Sequence, residues 1–188
     1  MDGNSPAFSR RGLLAAFAAS VFVAAPTCSQ AFGLLRGAGD VRRIRMYSGR
    51  TGESLDAIYW IEGEYIPEVL KEINYFMRDW REDAQVKMDP RTVDIAAAAH
   101  RLMDTSEPYM LLSGYRTPAT NALLRESSRG VARSSLHMKG MAADLRLKSR
   151  SVGQIYKAAV SCESGGVGRY SRSNFVHMDC GPIRTWGR

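Results

Sequence analysis

The segment that most constrains the fold is residues 134–147, "SSLHMKGMAADLRL", which places His137 seven residues before Asp144 in a chain with three histidines. Two ligands of one zinc ion have donor atoms within ~3.5 Å of each other. Seven residues, however, span roughly 23 Å in a strand and about 10 Å in a helix. A shared metal ion therefore requires a chain reversal, and Gly140 suits that turn because glycine adopts positive φ easily. The alternative is an ordinary ion pair between Asp144 and Arg146, which share one face of the predicted strand.

A third metal ligand has to come from a distant part of the chain, because catalytic zinc sites usually have three protein ligands. His177 is the candidate: in "NFVHMDC" the alternation of a strand places His177 and Asp179 on one face. His100 lies in a predicted helix with no histidine or acid at ligand spacing, so we interpret it as a core or surface residue. Spacing alone leaves two alternatives: a metal site formed by His137, Asp144 and His177, or three unrelated histidines.

The remaining segments after the N-terminus alternate between short strands and helices. Four helices are predicted, beginning near Pro67, Pro90, Pro118 and Ser151. One apolar face of the first helix consists of Val69, Ile73, Phe76 and Trp80. Hydrophobic residues make up 45% and charged residues 24% of the chain, which indicates a folded core. The predicted class is α+β, a small antiparallel sheet with helices packed around it, and "NFVHMDCG" is its last strand.

The first 31 residues have the pattern of an export signal rather than of a folded domain. Arg10 and Arg11 precede an apolar run, Leu13–Ala25, of thirteen residues. That run is shorter than the ~20 residues of a membrane-spanning helix, and the paired arginines favour the twin-arginine (Tat) route. We therefore predict a Tat signal over residues 1–31 and a single domain over residues 32–188, exported to the periplasm without a membrane span after signal removal. An uncleaved membrane anchor is the alternative.

The charge and cysteine content restrict the partners. The net charge is +7, but lysines and arginines are interspersed with acids, so we expect no nucleic-acid partner. A basic surface also suits a cell-wall polymer rich in carboxylates.

Cys162 and Cys180, the two cysteines after the signal, permit one structural disulfide in an oxidising compartment or two free thiols. No pattern indicates an oligomeric state.

Four separated segments carry a family resemblance. "SLHMKGMAAD", residues 135–144, resembles the Ser-x-His-x-x-Gly-x-Ala-x-Asp signature of zinc D-Ala-D-Ala peptidases, and "SGYRTPATN" is similar to their Ser-Gly-Tyr-Arg element. "IYWIEGEYIPEVLKEINYFMRDWR" and "NFVHMDCGPIRTW" resemble the YcbK-like (MepK-like) murein endopeptidase branch. The similarity spans residues 44–186, and four motifs in the same order make it specific.

This resemblance implies a zinc hydrolase with the D-Ala-D-Ala peptidase-like fold, acting on the peptide stems of peptidoglycan and cutting their cross-links. His137, Asp144 and His177 fall on its zinc-ligand positions, and a water whose pKa drops toward ~7 takes the fourth. Arg116 falls on an arginine that can stabilise an oxyanion or hold a substrate carboxylate, and Ser135 is a candidate substrate contact. The alternatives are a D,D-carboxypeptidase of the same fold and a non-catalytic, zinc-containing peptidoglycan-binding module.

The chain departs from the family pattern at the general base. Related peptidases place an acid three residues before the last ligand or a histidine two before it, but this chain has Asn174 and Phe175 there. Neither side chain accepts a proton. Asp179, two residues after His177, is the replacement base or a partner that orients the imidazole; a third alternative is that Asp179 binds the metal in place of His177. The missing base motivates the binding-module alternative.

Overall fold

The computed structural model describes residues 39–128 and 130–187. The predicted export signal lies outside the described residues. Within the described ranges no helix has the length and apolar character needed to cross a membrane.

The described strands form one eight-stranded sheet in the order β3-β2-β1-β4-β5-β7-β6-β8. Their bounds are β1 Val41–Tyr47, β2 Ser54–Ile61, β3 Glu64–Tyr65, β4 Tyr109–Ser113, β5 Ala142–Arg146, β6 Gly166–Tyr170, β7 Phe175–Asp179 and β8 Arg184–Gly187. Five neighbouring pairs are antiparallel, whereas β1–β4 and β6–β8 are parallel. The α+β class is confirmed, but the sheet is not the small antiparallel one that was predicted: it has eight described strands and two parallel pairs.

The two parallel pairs arise from the connections between the strands. Parallel neighbours need a long crossover, and two helices lie in the chain between β1 and β4. In the second case β7 occupies one edge of β6 as its hairpin partner, so β8 adds to the other edge. The strand predicted to be the last is therefore followed by one more, Arg184–Gly187.

All four predicted helices are present: α1 Pro67–Phe76, α2 Pro90–Leu102, α3 Pro118–Ser127 and α4 Val152–Ser161. The first three carry proline in the first turn, where its missing N–H costs nothing. Helix α1 ends at Phe76, however, so Trp80 does not continue its apolar face. The chain leaves the helix there because the Met77 carbonyl accepts from the Tyr115 amide, and Asp79 and Ala84 form an isolated β-bridge.

The core lies between the sheet and helices α2 and α4. The central strands β5 and β7 direct Ala143, Leu145, Val176 and Met178 into it, each at most 1% exposed. Burial of such side chains contributes about 1.5–3 kcal/mol each for the larger ones, and a one-residue slip would reverse every side chain on the strand. The core therefore fixes which face of β7 carries His177.

The two cysteines within the described ranges, Cys162 and Cys180, are free thiols. Cys162 lies at the end of α4, where its Sγ contacts the Ala158 carbonyl. Cys180 follows β7, and its Sγ lies 3.3 Å from Thr92 Oγ1. Of the two alternatives left by the sequence, the structure contains the thiols rather than the bridge.

Candidate metal centre

The pairing of two central strands brings together two candidate ligands. Strands β5 and β7 are antiparallel neighbours, and Asp144 lies directly opposite His177 in their register. Side chains at directly opposed positions project from the same face with Cβ atoms about 4.5–5.5 Å apart. The two residues, 33 positions apart in the chain, thus share one surface of the sheet.

The third candidate ligand comes from the reversal predicted at Gly140. His137 lies in a single-turn 3-10 helix, Leu136–Lys139, whose N-cap is Ser135. Gly140 ends it with φ +66°, and a Cβ there would lie 2.9 Å from Val86 Cγ1. Glycine is therefore required for both the conformation and the space. The chain then enters β5, so that His137 lies over Asp144.

The donor atoms of these three residues converge. His137 Nε2 lies 3.2 Å from Asp144 Oδ1 and 3.2 Å from His177 Nδ1, and the last two atoms are 2.9 Å apart. Donors at zinc-ligand distances of about 2.0–2.1 Å in a tetrahedral site are separated by roughly 3.3 Å. The set therefore fits one zinc-sized ion. Among the described residues, these three side chains lie close enough to one another to share one metal ion.

Each histidine of the cluster is oriented by a hydrogen bond from its other ring nitrogen. His137 Nδ1 donates to the Gly114 carbonyl at 2.7 Å, and His177 Nε2 donates to Asp179 Oδ2 at 2.9 Å. A carbonyl and a carboxylate only accept, so the lone pair of His137 Nε2 is directed at the centre, and so is that of His177 Nδ1 once its ring is neutral. Such outer partners set the tautomer and raise the basicity of metal ligands.

The carboxylate of Asp179 is enclosed by donors. Its Oδ1 accepts from the amides of Gly166 and Gly181, at 3.2 and 2.9 Å, and from Arg184 Nη1 at 3.0 Å. Its Oδ2 accepts from His177 and from Arg184 Nη2 at 2.7 Å. Burial alone would raise the pKa of Asp179, but the bonds from His177 and Arg184 outweigh it and hold the pKa well below its usual range. Asp179 is therefore an anion that faces His177.

Arg116 and Ser135 support the cluster from the loop side. The Arg116 guanidinium bonds to Asp144 Oδ2 and, through Nε, to Ser113 Oγ at 2.7 Å. Asp144 is thus paired with Arg116. The ion pair with Arg146, which the sequence offered as an alternative, is not the one that the structure contains. Ser135 Oγ accepts from the His137 amide at 3.3 Å and so shapes the turn.

Burial and mutual contacts set the charge states of the cluster. Burial lowers the pKa of His137, so its ring is neutral. Burial would raise the pKa of Asp144, but His137 and His177 outweigh it and hold the pKa well below the usual range. Burial likewise lowers the pKa of His177, but the hydrogen bonds to Asp144 and Asp179 prevail and raise it to about 9. Neutral His137 and ionised Asp144 are therefore already in the protonation states that bind a metal ion, whereas His177 must first release a proton.

The three donor residues line a pocket of about 380 Å³ together with Arg116 and Ser135. Among its described lining residues Asp144 is the only carboxylate. Sequence reasoning missed several lining residues, namely Tyr170, Arg184 and Trp186. The alternation of "RTWG" places Arg184 and Trp186 on one side of a strand, but nothing local indicates that this strand pairs next to β6.

The remaining histidine was interpreted from the sequence as a core or surface residue, and its placement agrees with that interpretation. His100, in α2, is not in the cluster. Its Nε2 lies 2.6 Å from the Glu107 carbonyl, and its ring packs edge-on against Tyr109 with centroids 5.0 Å apart.

Comparisons with known proteins agree with the motif resemblance. A family model described as peptidoglycan L,D-endopeptidase MepK matches residues 36–186. The Escherichia coli (strain K12) peptidoglycan L,D-endopeptidase MepK is 45% identical over 145 residues, which cover 77% of this chain and 80% of that protein. The probable peptidoglycan L,D-endopeptidase MepK of Haemophilus influenzae is 39% identical over 137 residues, 72% of this chain and 74% of that protein. The chain therefore belongs to the peptidoglycan L,D-endopeptidase MepK family.

Proposed function

We propose that this protein is a zinc-dependent endopeptidase that cleaves peptide cross-links in peptidoglycan, at bonds between an L- and a D-centre. The observation that carries the proposal is the convergence of His137 Nε2, Asp144 Oδ1 and His177 Nδ1 to within 3.2 Å in a pocket. The names of the relatives support the substrate and the L,D bond. The predicted export signal agrees with a substrate outside the cytoplasmic membrane.

His137, Asp144 and His177 would hold the zinc ion. When bound, zinc supplies Lewis acidity toward a peptide carbonyl and makes water more acidic. The protein contributes the orientation of the ligands, through the Gly114 carbonyl and Asp179, so that little reorganisation is needed when the ion binds.

Arg116 is proposed to bind the substrate as well as the ligand Asp144. A guanidinium has five N–H donors in a planar arrangement, and only part of them are used by Asp144 and Ser113. The remaining donors of this pocket residue suit a carbonyl oxygen that gains negative charge, or a substrate carboxylate. Ser135 also lines the pocket, and its hydroxyl proton remains available to a substrate acceptor.

Asp179 is proposed to position His177 rather than to accept a proton from the substrate. Both of its oxygens already accept hydrogen bonds, and its side chain is fully buried. A general base has to reach the proton that it removes, directly or through one water. Hydrogen-bond donors surround both carboxylate oxygens of Asp179. This enclosure favours the role of a partner that orients His177 over the role of a general base.

Digestion of purified murein tests the proposal. The zinc-loaded protein should convert cross-linked muropeptides into monomers without releasing free D-alanine, as seen by liquid chromatography and mass spectrometry. Asp144→Ala should lose both the bound zinc and the activity. Asp56→Ala is the matched control, because Asp56 is half exposed and pairs with Arg43 on strands β1 and β2; it should retain both.

The other outcomes separate the alternatives. Free D-alanine with intact cross-links would identify a D,D-carboxypeptidase. Binding to murein without any shortening by the zinc-loaded protein would identify a binding module and refute the proposed enzyme.

A further inference from the structure

A second groove opens on the sheet face that carries the candidate metal centre. Three cationic residues line it, and we call it the cationic groove: Arg146, Lys148 and Arg150. Arg146 lies two residues after Asp144 on β5, so both side chains project from the same face of that strand. Asn174 lines the cationic groove, and the next residue, Phe175, lines the pocket of the candidate metal centre. The cationic groove therefore adjoins that pocket.

The cations of this groove have neutral partners. Arg146 Nε lies 2.9 Å from the thioether sulfur of Met110, and Arg150 Nη2 donates to the Met103 carbonyl at 2.9 Å. Within the part of the chain that the structure describes, no ion pair joins Arg146, Lys148 or Arg150 to a carboxylate, and no carboxylate lines the groove. The fold therefore leaves the positive charge of the groove without a paired anion.

A carboxylate near the groove holds its backbone rather than its cations. Glu107 accepts from the amides of Lys148 and Ser149, both at 2.8 Å. These bonds fix the loop after β5, from which the side chain of Lys148 extends. The position of the cations is thus set by the fold.

The cationic groove leads away from the metal centre across the sheet. Arg146 pairs with Met110 of β4, and Met110 pairs with Tyr47 of β1. Lys148 Nζ lies 6.0 Å from the centroid of the Tyr47 ring, so the ammonium group lies beside β1. In the strand order β1-β4-β5-β7, β4 and β1 are two and three spacings from the strand of His177, which is roughly 10–14 Å. That distance equals about three to four extended residues.

We propose that the cationic groove binds carboxylates of a second peptide stem of the wall polymer while a first stem is cut at the metal centre. Guanidinium and ammonium groups without an anionic partner in the fold are complementary to carboxylates, and Arg146 can hold one in a two-pronged contact. The distance from His177 places the groove beyond the residues that flank the scissile bond. This inference rests on the proposed endopeptidase function, and it adds a docking surface that captures the polymer.

The test compares intact murein sacculi with the soluble cross-linked muropeptide dimer, which has the same scissile bond but no further stem. The double variant Arg146→Gln, Lys148→Gln should raise the KM for sacculi roughly 2- to 25-fold, because each exposed charge contact changes an affinity by about 1.4- to 5-fold. Its kcat on sacculi and its kcat/KM for the dimer should match those of the wild type. Added sodium chloride should raise the KM for sacculi more in the wild type than in the double variant, because salt screens exposed charges.

Two controls separate the groove from net charge and from folding. Lys71→Gln, Lys157→Gln removes the same charge from exposed positions on α1 and α4 outside the groove, and it should keep the wild-type KM for sacculi. Arg146→Lys keeps the charge and should retain most of the affinity. KM does not depend on the folded fraction, so partial unfolding does not imitate the result.

The failures are distinguishable. An equal rise of KM in the Lys71, Lys157 control would mean that net charge attracts the polymer, and it would refute the groove. If cleavage of the dimer is impaired as much as that of sacculi, the groove belongs to the stem that is cut, and docking of a second stem is wrong. Binding to phosphatidylglycerol vesicles that the double variant loses, with an unchanged KM for sacculi, would assign the groove to a membrane surface instead. If the zinc-loaded wild type cleaves neither substrate, the proposed function is refuted together with the role given to the groove.

Discussion

The substitution Asp179→Asn distinguishes an orienting residue from a general base. Asparagine keeps the shape of the side chain but replaces one acceptor oxygen with an NH2 donor. At the Oδ1 position that NH2 would oppose three donors, from Gly166, Gly181 and Arg184; at the Oδ2 position it would oppose two, from His177 and Arg184. We expect the second arrangement, because fewer donors are left opposed. His177 Nε2 then has to accept, and the ring proton moves to Nδ1, the atom that faces the metal site.

The expected result is weaker metal binding. Loss of an outer partner of a metal ligand costs roughly 10–100-fold in affinity, which is about 1.4–2.8 kcal/mol. Competition with a chromophoric zinc chelator measures this shift directly. At saturating zinc most of the kcat should return, because the groups that touch the substrate are unchanged.

The control and the refuting result are both available in the same assay. Asp56→Asn removes a carboxylate charge from a half-exposed ion pair with Arg43 and should leave zinc affinity unchanged. If Asp179→Asn binds zinc as tightly as the wild type but loses roughly 10²–10⁴-fold in kcat at saturating zinc, Asp179 acts as the base and the orienting role is wrong.

Three other expectations concern pH, a buried ion pair and the turn. Because the pKa of His177 is raised to about 9, the ring is protonated below that pH, and zinc affinity should rise about tenfold per pH unit up to pH 9; calorimetry in buffers of different ionisation enthalpy should detect one released proton. Asp94→Ala removes the carboxylate that pairs with buried Arg42 at 2.8 Å, and urea unfolding should show a loss of about 3–5 kcal/mol with unchanged zinc affinity. Gly140→Ala should cost about 1–2 kcal/mol from its positive φ and lower the midpoint of thermal unfolding; an unchanged midpoint would contradict the required turn.

Local rules in the sequence predicted the parts of the site that depend on neighbouring residues. Strand alternation put His177 and Asp179 on one face, and the structure joins them by a 2.9 Å hydrogen bond. The reversal at Gly140 was predictable because positive φ favours glycine. The starts of the helices followed from proline and capping residues. Where a distant contact intervened, local periodicity failed: α1 stops at Phe76, although the apolar pattern continues to Trp80.

The sequence by itself determined which side chains are available as ligands, which of them share a strand face and where the chain turns, because these properties follow from backbone geometry over a few residues. Only the tertiary structure decided that Asp144 lies opposite His177, that Arg184 closes over Asp179 and that Trp186 lies across Gly168. Those contacts depend on the register of strands β5, β6, β7 and β8. That register is set by burial of the core face and by the order in which the strands pair, which no short stretch of sequence encodes.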